Sequence, residues 1–231
     1  VDPEGVSFDG SNDYLSRSSD LSGNSDGKTF TFSAWVYTSD TSSRSIYNSR
    51  PSSGTDVGIQ FFMTNGTSLS AYGKKSDGSV VINFTLSDAF SKNSFYHVLV
   101  SVNLANTSDR TVYIGDVDRT ASVTWTTYVN ANIDFSTSQH YISSRASGGA
   151  EFYGRLAHVF LDYTYRDLSV TANRRLFIDS DGKPSSTIPS SPILYLPMTD
   201  AATAGSNSGT GGDFTVNGVL DTAGRAPNQW N

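Results

Sequence analysis

The chain is written in short alternating bursts. In "TFTFSAWVY", Phe30, Phe32, Ala34 and Val36 fall on one face of an extended strand, while Trp35 and Tyr37 add apolar bulk to the other. A strand apolar on both sides belongs between two layers or beneath a loop. "FYHVLVSVNL" alternates through Tyr96, Val98, Val100, Val102 and Leu104. Further strands are predicted in "VGIQFFM", "SVVINFTL", "TVYIG", "QHYISS", "RLAHVFLDYTY", "PILYLPM" and "DFTVNGVL". Turn-forming clusters such as "NGT", "KKSDGS", "NTSDR", "SGG", "DSDGKP" and "NSGTGGD" separate them. Many short strands with this punctuation predict an all-β chain, a sandwich or a barrel. One stretch, "SVTANRRLFID", predicts a helix of two or three turns, with Ser169 or Thr171 as N-cap and Ala172, Leu176 and Phe177 following.

Near the start, "VSFDGSNDYLS" sets a polar knot, Asp9 to Asp13, between Phe8 and Tyr14. Asp, Gly and Asn suit a tight reversal, so the knot is expected to be the turn of a first hairpin. Pro, Ser and Gly crowd residues 179–192, which marks a connection. Residues 1–178 are expected to form the main body of the fold. Residues 179–231 are too short to bury a core of their own, so their strands are expected to pack on the same sandwich. No repeat of 20–50 residues is visible.

Composition narrows the classes. The 231 residues contain no Cys, which removes disulfides and thiolate metal sites. The net charge of −6 argues against a nucleic-acid backbone as partner, since that requires a basic stripe. No run approaches the roughly eighteen apolar residues of a membrane-spanning helix. Only 16% of residues are charged, so Ser, Thr, Asn and Gly supply most of the polar surface. Such a surface is common on secreted and virion proteins, and an extracellular or virion-surface location is the expectation. The opening "VDPEG" lacks an initiator Met and a signal-peptide pattern, which reads as a processed or excised chain.

The order of pieces carries a resemblance. "VSFDGSNDYLS", "FTFSAWVY", "FYHVLVSV", "TVYIGDVDRTA" and "QHYISSRASGGAEFYGRLAHVFLDYTYRDLS" follow one another as in the laminin-G-like jelly roll of the concanavalin-A-like lectin/glucanase superfamily. The resemblance covers about Val6 to Ser169 and implies that residues 1–178 form a jelly-roll sandwich of two antiparallel sheets. The later run, with "GKP", "PILYL" and "GTGGDFTVNG", resembles a tail that follows such domains in structural and tail-associated proteins of bacteriophages. Family members carry an Asp-Glu pair in the late strand where this chain has Ala157 and His158. His158 alternates with Leu156 and Phe160, which reads as a hydrogen-bonded core histidine.

Catalysis finds little support. Glucanases on this fold cluster acidic residues on one strand, and glycoside hydrolysis needs two carboxyls about 5–9 Å apart. This chain has two Glu, Glu4 and Glu151, in unrelated contexts. Asp116 and Asp118 have same-face spacing but sit among turn residues. His97, His140 and His158 lack i, i+4 metal spacing, and no nucleophile elbow or phosphate loop occurs. Calcium is the one cofactor left open. Several relatives bind it, and Asp9, Asn12 and Asp13 in the knot, together with Asp162 in "FLDYTY", supply the oxygen ligands it takes.

Sugar recognition sets aromatic faces beside amides. The aromatics that lie among polar neighbours are Trp125 and Tyr128 in "SVTWTTYVNAN", Tyr47 with Asn48 and Arg50 in "RSIYNSRPSS", and Tyr72 in "SAYGKKSDG". Trp125, Tyr128, Tyr47, Asn48 and Tyr72 are therefore the candidate carbohydrate-binding residues. Trp230 could pack on a neighbouring domain or chain. The Asn65, Asn83 and Asn106 triplets are ordinary in so Ser/Thr-rich a chain. The leading expectation is a non-catalytic module that touches cell-surface glycans, phage-derived on the strength of the tail. The alternative is a structural virion or fibre subunit working through protein–protein contacts, as a homo-oligomer among other arrangements. A glycoside hydrolase comes third.

Overall fold

The computed structural model describes residues 5–38, 40–51, 58–146 and 149–222. Its strands are β1 (Val6–Asp9), β2 (Tyr14–Arg17), β3 (Thr29–Thr38), β4 (Arg44–Arg50), β5 (Ile59–Thr64), β6 (Ser68–Lys74), β7 (Val80–Leu86) and β8 (Phe95–Asn103). They continue as β9 (Arg110–Ile114), β10 (Val117–Asp118), β11 (Val123–Tyr128), β12 (Gln139–Ile142) and β13 (Tyr153–Asp162). After a one-turn helix, α1 (Thr171–Arg174), come β14 (Leu194–Leu196), β15 (Thr215–Asn217) and β16 (Asp221–Thr222).

Two antiparallel sheets result. The first runs β10-β9-β8-β3-β13-β1-β16, with β14 pairing β13 beyond the end of β1. The second runs β11-β7-β6-β5-β4-β12-β2-β15. Phe30, Phe32, Ala34 and Val36 of β3 enter the core between the sheets, as their alternation predicts. Phe32 stacks on Phe61 of β5 with ring centroids 3.8 Å apart, joining the two layers. The C-terminal strands enter both sheets, β14 and β16 in the first and β15 in the second.

The expected first hairpin does not form. β1 pairs β13 in the first sheet, whereas β2 pairs β12 in the second. The knot therefore carries the chain from one layer to the other. Asp9 caps the bend by accepting the Ser11 and Asn12 amides. Asp13 is buried and accepts two amides, the local Asp9 N–H at 3.1 Å and the distant Val219 N–H at 2.9 Å. It thus ties the crossover to the C-terminal segment. Gly218 stands beside it at φ +81°, where a Cβ would lie 2.1 Å from Asp13 Oδ1. Only glycine fits that approach and that conformation.

The helix is shorter than predicted, a single turn instead of two or three. Its Val170 N-cap gives no side-chain bond, and Ser169 spends its hydroxyl and amide on Asp167. So short a helix has no stability of its own, and its neighbours fix it. Asp116 accepts from Arg174 Nε at 2.7 Å and from Arg175 at 2.6 Å, while Phe177 packs on the sheet below.

Candidate functional site

The two sheets differ in what lies on their outer sides. Outward residues of the first sheet form two apolar clusters beside buried, hydrogen-bonded polar pairs, Thr31 with Ser101 and Ser33 with His97. Leu99, Tyr113 and Phe160 pack with Leu168, Phe177 and Tyr195 from the segment that follows β13. Trp35 and Ala157 pack with Ile178 and Phe95. The apolar second side of β3 is thus explained by a lid. Arg174 lies 5.0 Å over the Tyr113 ring, and Arg166 bonds Asp162 at 2.6 Å.

The second sheet presents a different outer side. In β5, Ile59, Phe61 and Met63 point into the core, so alternation turns Gln60, Phe62 and Thr64 outward. Pairing extends this row. Gln60 lies opposite Tyr72 and Asn48, and Asn48 lies opposite Tyr141. Tyr141 lies opposite Ser16, and Asn217 donates to Ser16 Oγ at 2.9 Å. Hydroxyls bridge neighbouring strands, Thr64 to Ser70 at 3.2 Å and Ser70 to Thr85 at 3.0 Å. No described helix or strand packs on this face.

A recess of about 190 Å³ opens in it, lined by Ser45, Gln60, Phe62, Thr64, Arg44 and Arg145 among others. Ser45 and Gln60 are buried, and the 3.5 Å contact between them is at the limit of a hydrogen bond. Arg44 is held by Asp40 at 2.5 Å, which keeps that carboxyl below the usual range against the effect of burial. One turn of strand away, Asn48 is 0% exposed, and neither its amide nitrogen nor its amide oxygen has a partner. An unsatisfied buried polar group costs about 1–3 kcal/mol, so an amide left in this state stands out within a polar face.

The five sequence candidates separate. Asn48 and Tyr72 lie on the polar outer face. Tyr47 does not: it is a core residue at 1% exposure, its hydroxyl 2.9 Å from His140 Nδ1, and burial pushes its phenol well up. Trp125 and Tyr128 lie on the edge strand β11 and lean inward against the core, Trp125 on Phe84 at 4.7 Å. Arg110 lies 4.9 Å over both rings. Tyr128 donates to the Asn103 carbonyl, and burial raises its phenol to about 12. This pair clasps the sandwich edge; Tyr47 offers no face to a sugar, and Trp125, partly exposed, is engaged by Arg110 and Phe84. Trp230 and Glu4 lie outside the described residues. Sequence reading passed over Ser45, Gln60, Phe62 and Arg145. The signal for two of them was present in β5, where Gln60 and Phe62 interleave with Ile59, Phe61 and Met63.

The carboxylates placed for calcium do not fit it. Asp9 is opposite Tyr153 and Asp162 opposite Thr31, at the two ends of β13, so they cannot share an ion. Burial opposes the Asp9 charge, but backbone amides outweigh it and hold the group below the usual carboxylate range. Burial pushes the Asp13 carboxyl up, which disfavours an ionised ligand. Asp162 is spent on Arg166. Among the described residues no three His, Asp or Glu gather as a metal set. The histidines are buried or largely covered: His140 bonds Thr137 and Tyr47, and His158 Nδ1 lies 2.8 Å from the Tyr195 hydroxyl. Glu151 accepts the Gly149 amide.

The fold has relatives among solved structures. A carbohydrate-binding candidate from Bacteroides ovatus superposes with a TM-score of 0.59 at 14% identity, over 97% of this chain and 61% of its own. This chain therefore spans under two thirds of that protein. The heptameric SAP-like pentraxin of Limulus polyphemus gives 0.55 at 10% identity, over 96% of each chain. The CBM40 of a Ruminococcus gnavus IT-sialidase, bound to α2,3 sialyllactose, gives 0.50 at 11%, over 73% of this chain and 95% of its own. At these identities the likeness concerns the fold. No curated protein matches the chain. The Laminin G 3 family matches residues 9–163, and on that match the chain belongs to the concanavalin A-like lectin/glucanases superfamily.

Proposed function

We propose that the chain is a non-catalytic module that recognises glycans on the outer face of its second sheet. The observation that carries this reading is the recess beside Ser45, Gln60 and Phe62, set in a face of amides, hydroxyls and tyrosines. Sugars offer hydroxyls for such amides and C–H surfaces for rings such as Phe62 and Tyr72. Asn48, with both amide atoms unspent, is the polar anchor of the same face. The carbohydrate-binding description of the Bacteroides ovatus protein and the sialyllactose on the Ruminococcus gnavus module support the reading by analogy of fold. Two isolated Glu and ion-paired or backbone-bound aspartates support the absence of hydrolysis.

The low-charge, Ser/Thr-rich surface supports a place on a cell exterior or a virion, and the tail resemblance supports a phage source. A panel of bacterial surface polysaccharides tests the function. The intact chain is expected to retain at least one of them, and Gln60→Ala with Phe62→Ala to lose it by about tenfold or more. Trp125→Ala, at the edge, is expected to keep binding. Silence across the panel, with stable self-association instead, would turn the reading to a structural fibre subunit.

A further inference from the structure

A second cavity lies on the opposite side of the sandwich, beside the lid of the first sheet. It measures about 500 Å³ and opens between the turn at Asp88–Ser91 and the turn at Gly182. Trp35 and His97 both line it, 4% and 1% exposed, stacked with centroids 5.0 Å apart. His97 Nε2 is 2.8 Å from Ser33 Oγ, but His97 Nδ1 and Trp35 Nε1 have no hydrogen-bond partner. Two adjacent buried nitrogens with unspent capacity are rare in a folded core. The imidazole is neutral, held there by burial and by nearby His158, so Nδ1 is a donor in one tautomer and an acceptor in the other. A hydroxyl suits it in either case, and the indole N–H needs an oxygen.

The cavity's charges are also uneven. Asp116 is neutralised by Arg174 and Arg175, and Asp88 is exposed at the turn. Arg119 lines the cavity, and among the described residues no carboxylate forms an ion pair with its guanidinium. Phe90 and Tyr96 form an aromatic wall.

We infer that this cavity is a second ligand site, for a hydroxylated carboxylic acid about the size of one sugar ring. Its hydroxyls face Trp35 and His97 and its carboxylate faces Arg119, where a guanidinium–carboxylate pair adds both strength and orientation. The site is separate from the polar face of the second sheet and does not depend on its function.

The test is a titration of the full chain with glucuronate, glucose and acetate at one ionic strength, read from the indole N–H resonances. The chain has three Trp, so the indole signal that survives in both Trp125→Phe and Trp230→Phe is that of Trp35. Glucuronate is expected to shift the Trp35 indole signal saturably, at about tenfold lower concentration than glucose or acetate. Arg119→Gln, at a partly exposed position, is expected to erase that preference, and Gln60→Ala to leave it. A Trp35 signal unmoved by glucuronate, equal response to glucose, or an Arg119→Gln titration like that of the wild type would each overturn the site. Failure here leaves the polysaccharide result standing, and the reverse holds.

Discussion

The outer faces of the two sheets make the instructive pair. One carries apolar clusters and is covered by its own chain. The other is polar, recessed and left bare by every described helix and strand. A sandwich buries its two inner faces in any case. What the chain does with the outer faces separates the part that holds the structure from the part free to meet a partner. Covering the first sheet adds apolar burial, at roughly 25 cal/mol per Å². The second keeps partly exposed rings such as Phe62 and Tyr72, with the buried amides of Asn48 and Gln60 beside them, for outside contacts.

The sharpest way to break the contrast is to empty the lid. Phe177→Ala removes a buried ring that packs edge-on against Phe160, 5.0 Å away. It is expected to lower unfolding free energy by about 3–5 kcal/mol in urea. Phe62→Ala on the bare face is expected to cost far less. Equal losses would mean that the second face is also structural.

Next comes Gly218→Ala, which forces a Cβ onto Asp13 and strains a left-handed residue. A loss of about 1–3 kcal/mol is expected. Asp13→Asn keeps one acceptor and is expected to lose less.

Acid should act through the histidines of the first sheet. Burial lowers His97 to about 3 and His158 to about 4, whereas both titrate near 6.5 when unfolded. The unfolded chain then binds more protons below pH 6.5, so stability falls as pH drops from 6.5 through about 4 toward about 3. His97→Gln is expected to make the fall between pH 6.5 and about 4 shallower in urea midpoints taken across pH. An unchanged slope would remove His97 from the account.

The smallest effect belongs to the clamp on α1. Asp116→Asn breaks two partly exposed ion pairs and is expected to cost about 1 kcal/mol or less. Arg175 first, then Arg174, hold Asp116 below the usual carboxylate range. Its contribution is therefore present above that range and lost as pH falls through it.

The first sheet was the legible half. β3 and β8 carry near-continuous apolar runs because lid and core press on both sides, and such runs announce strands. β4, β6 and β11 were read as polar stretches because their outward positions hold Ser, Asn, Tyr and Thr. An exposed polar face erases the apolar run and leaves only alternation. Distance explains the other misses. The knot resembles a hairpin turn because its composition reports a bend, and composition cannot report that the next strand pairs with β12 rather than with β1. Trp125 looked like a binding residue for its polar neighbours, while its partner Arg110 lies on another strand. Asn48 was found by its place beside aromatics, and the lack of partners around it needed three dimensions.

The central claim, that the bare face is the working surface, is tested most directly by mapping backbone amide shifts with a polysaccharide fragment retained on the panel. Perturbations are expected to concentrate on β4, β5, β6 and β12, centred on Ser45, Asn48, Gln60 and Phe62. Shifts confined to the lid around Leu168 and Phe177, or to the β11 edge at Trp125, would contradict it.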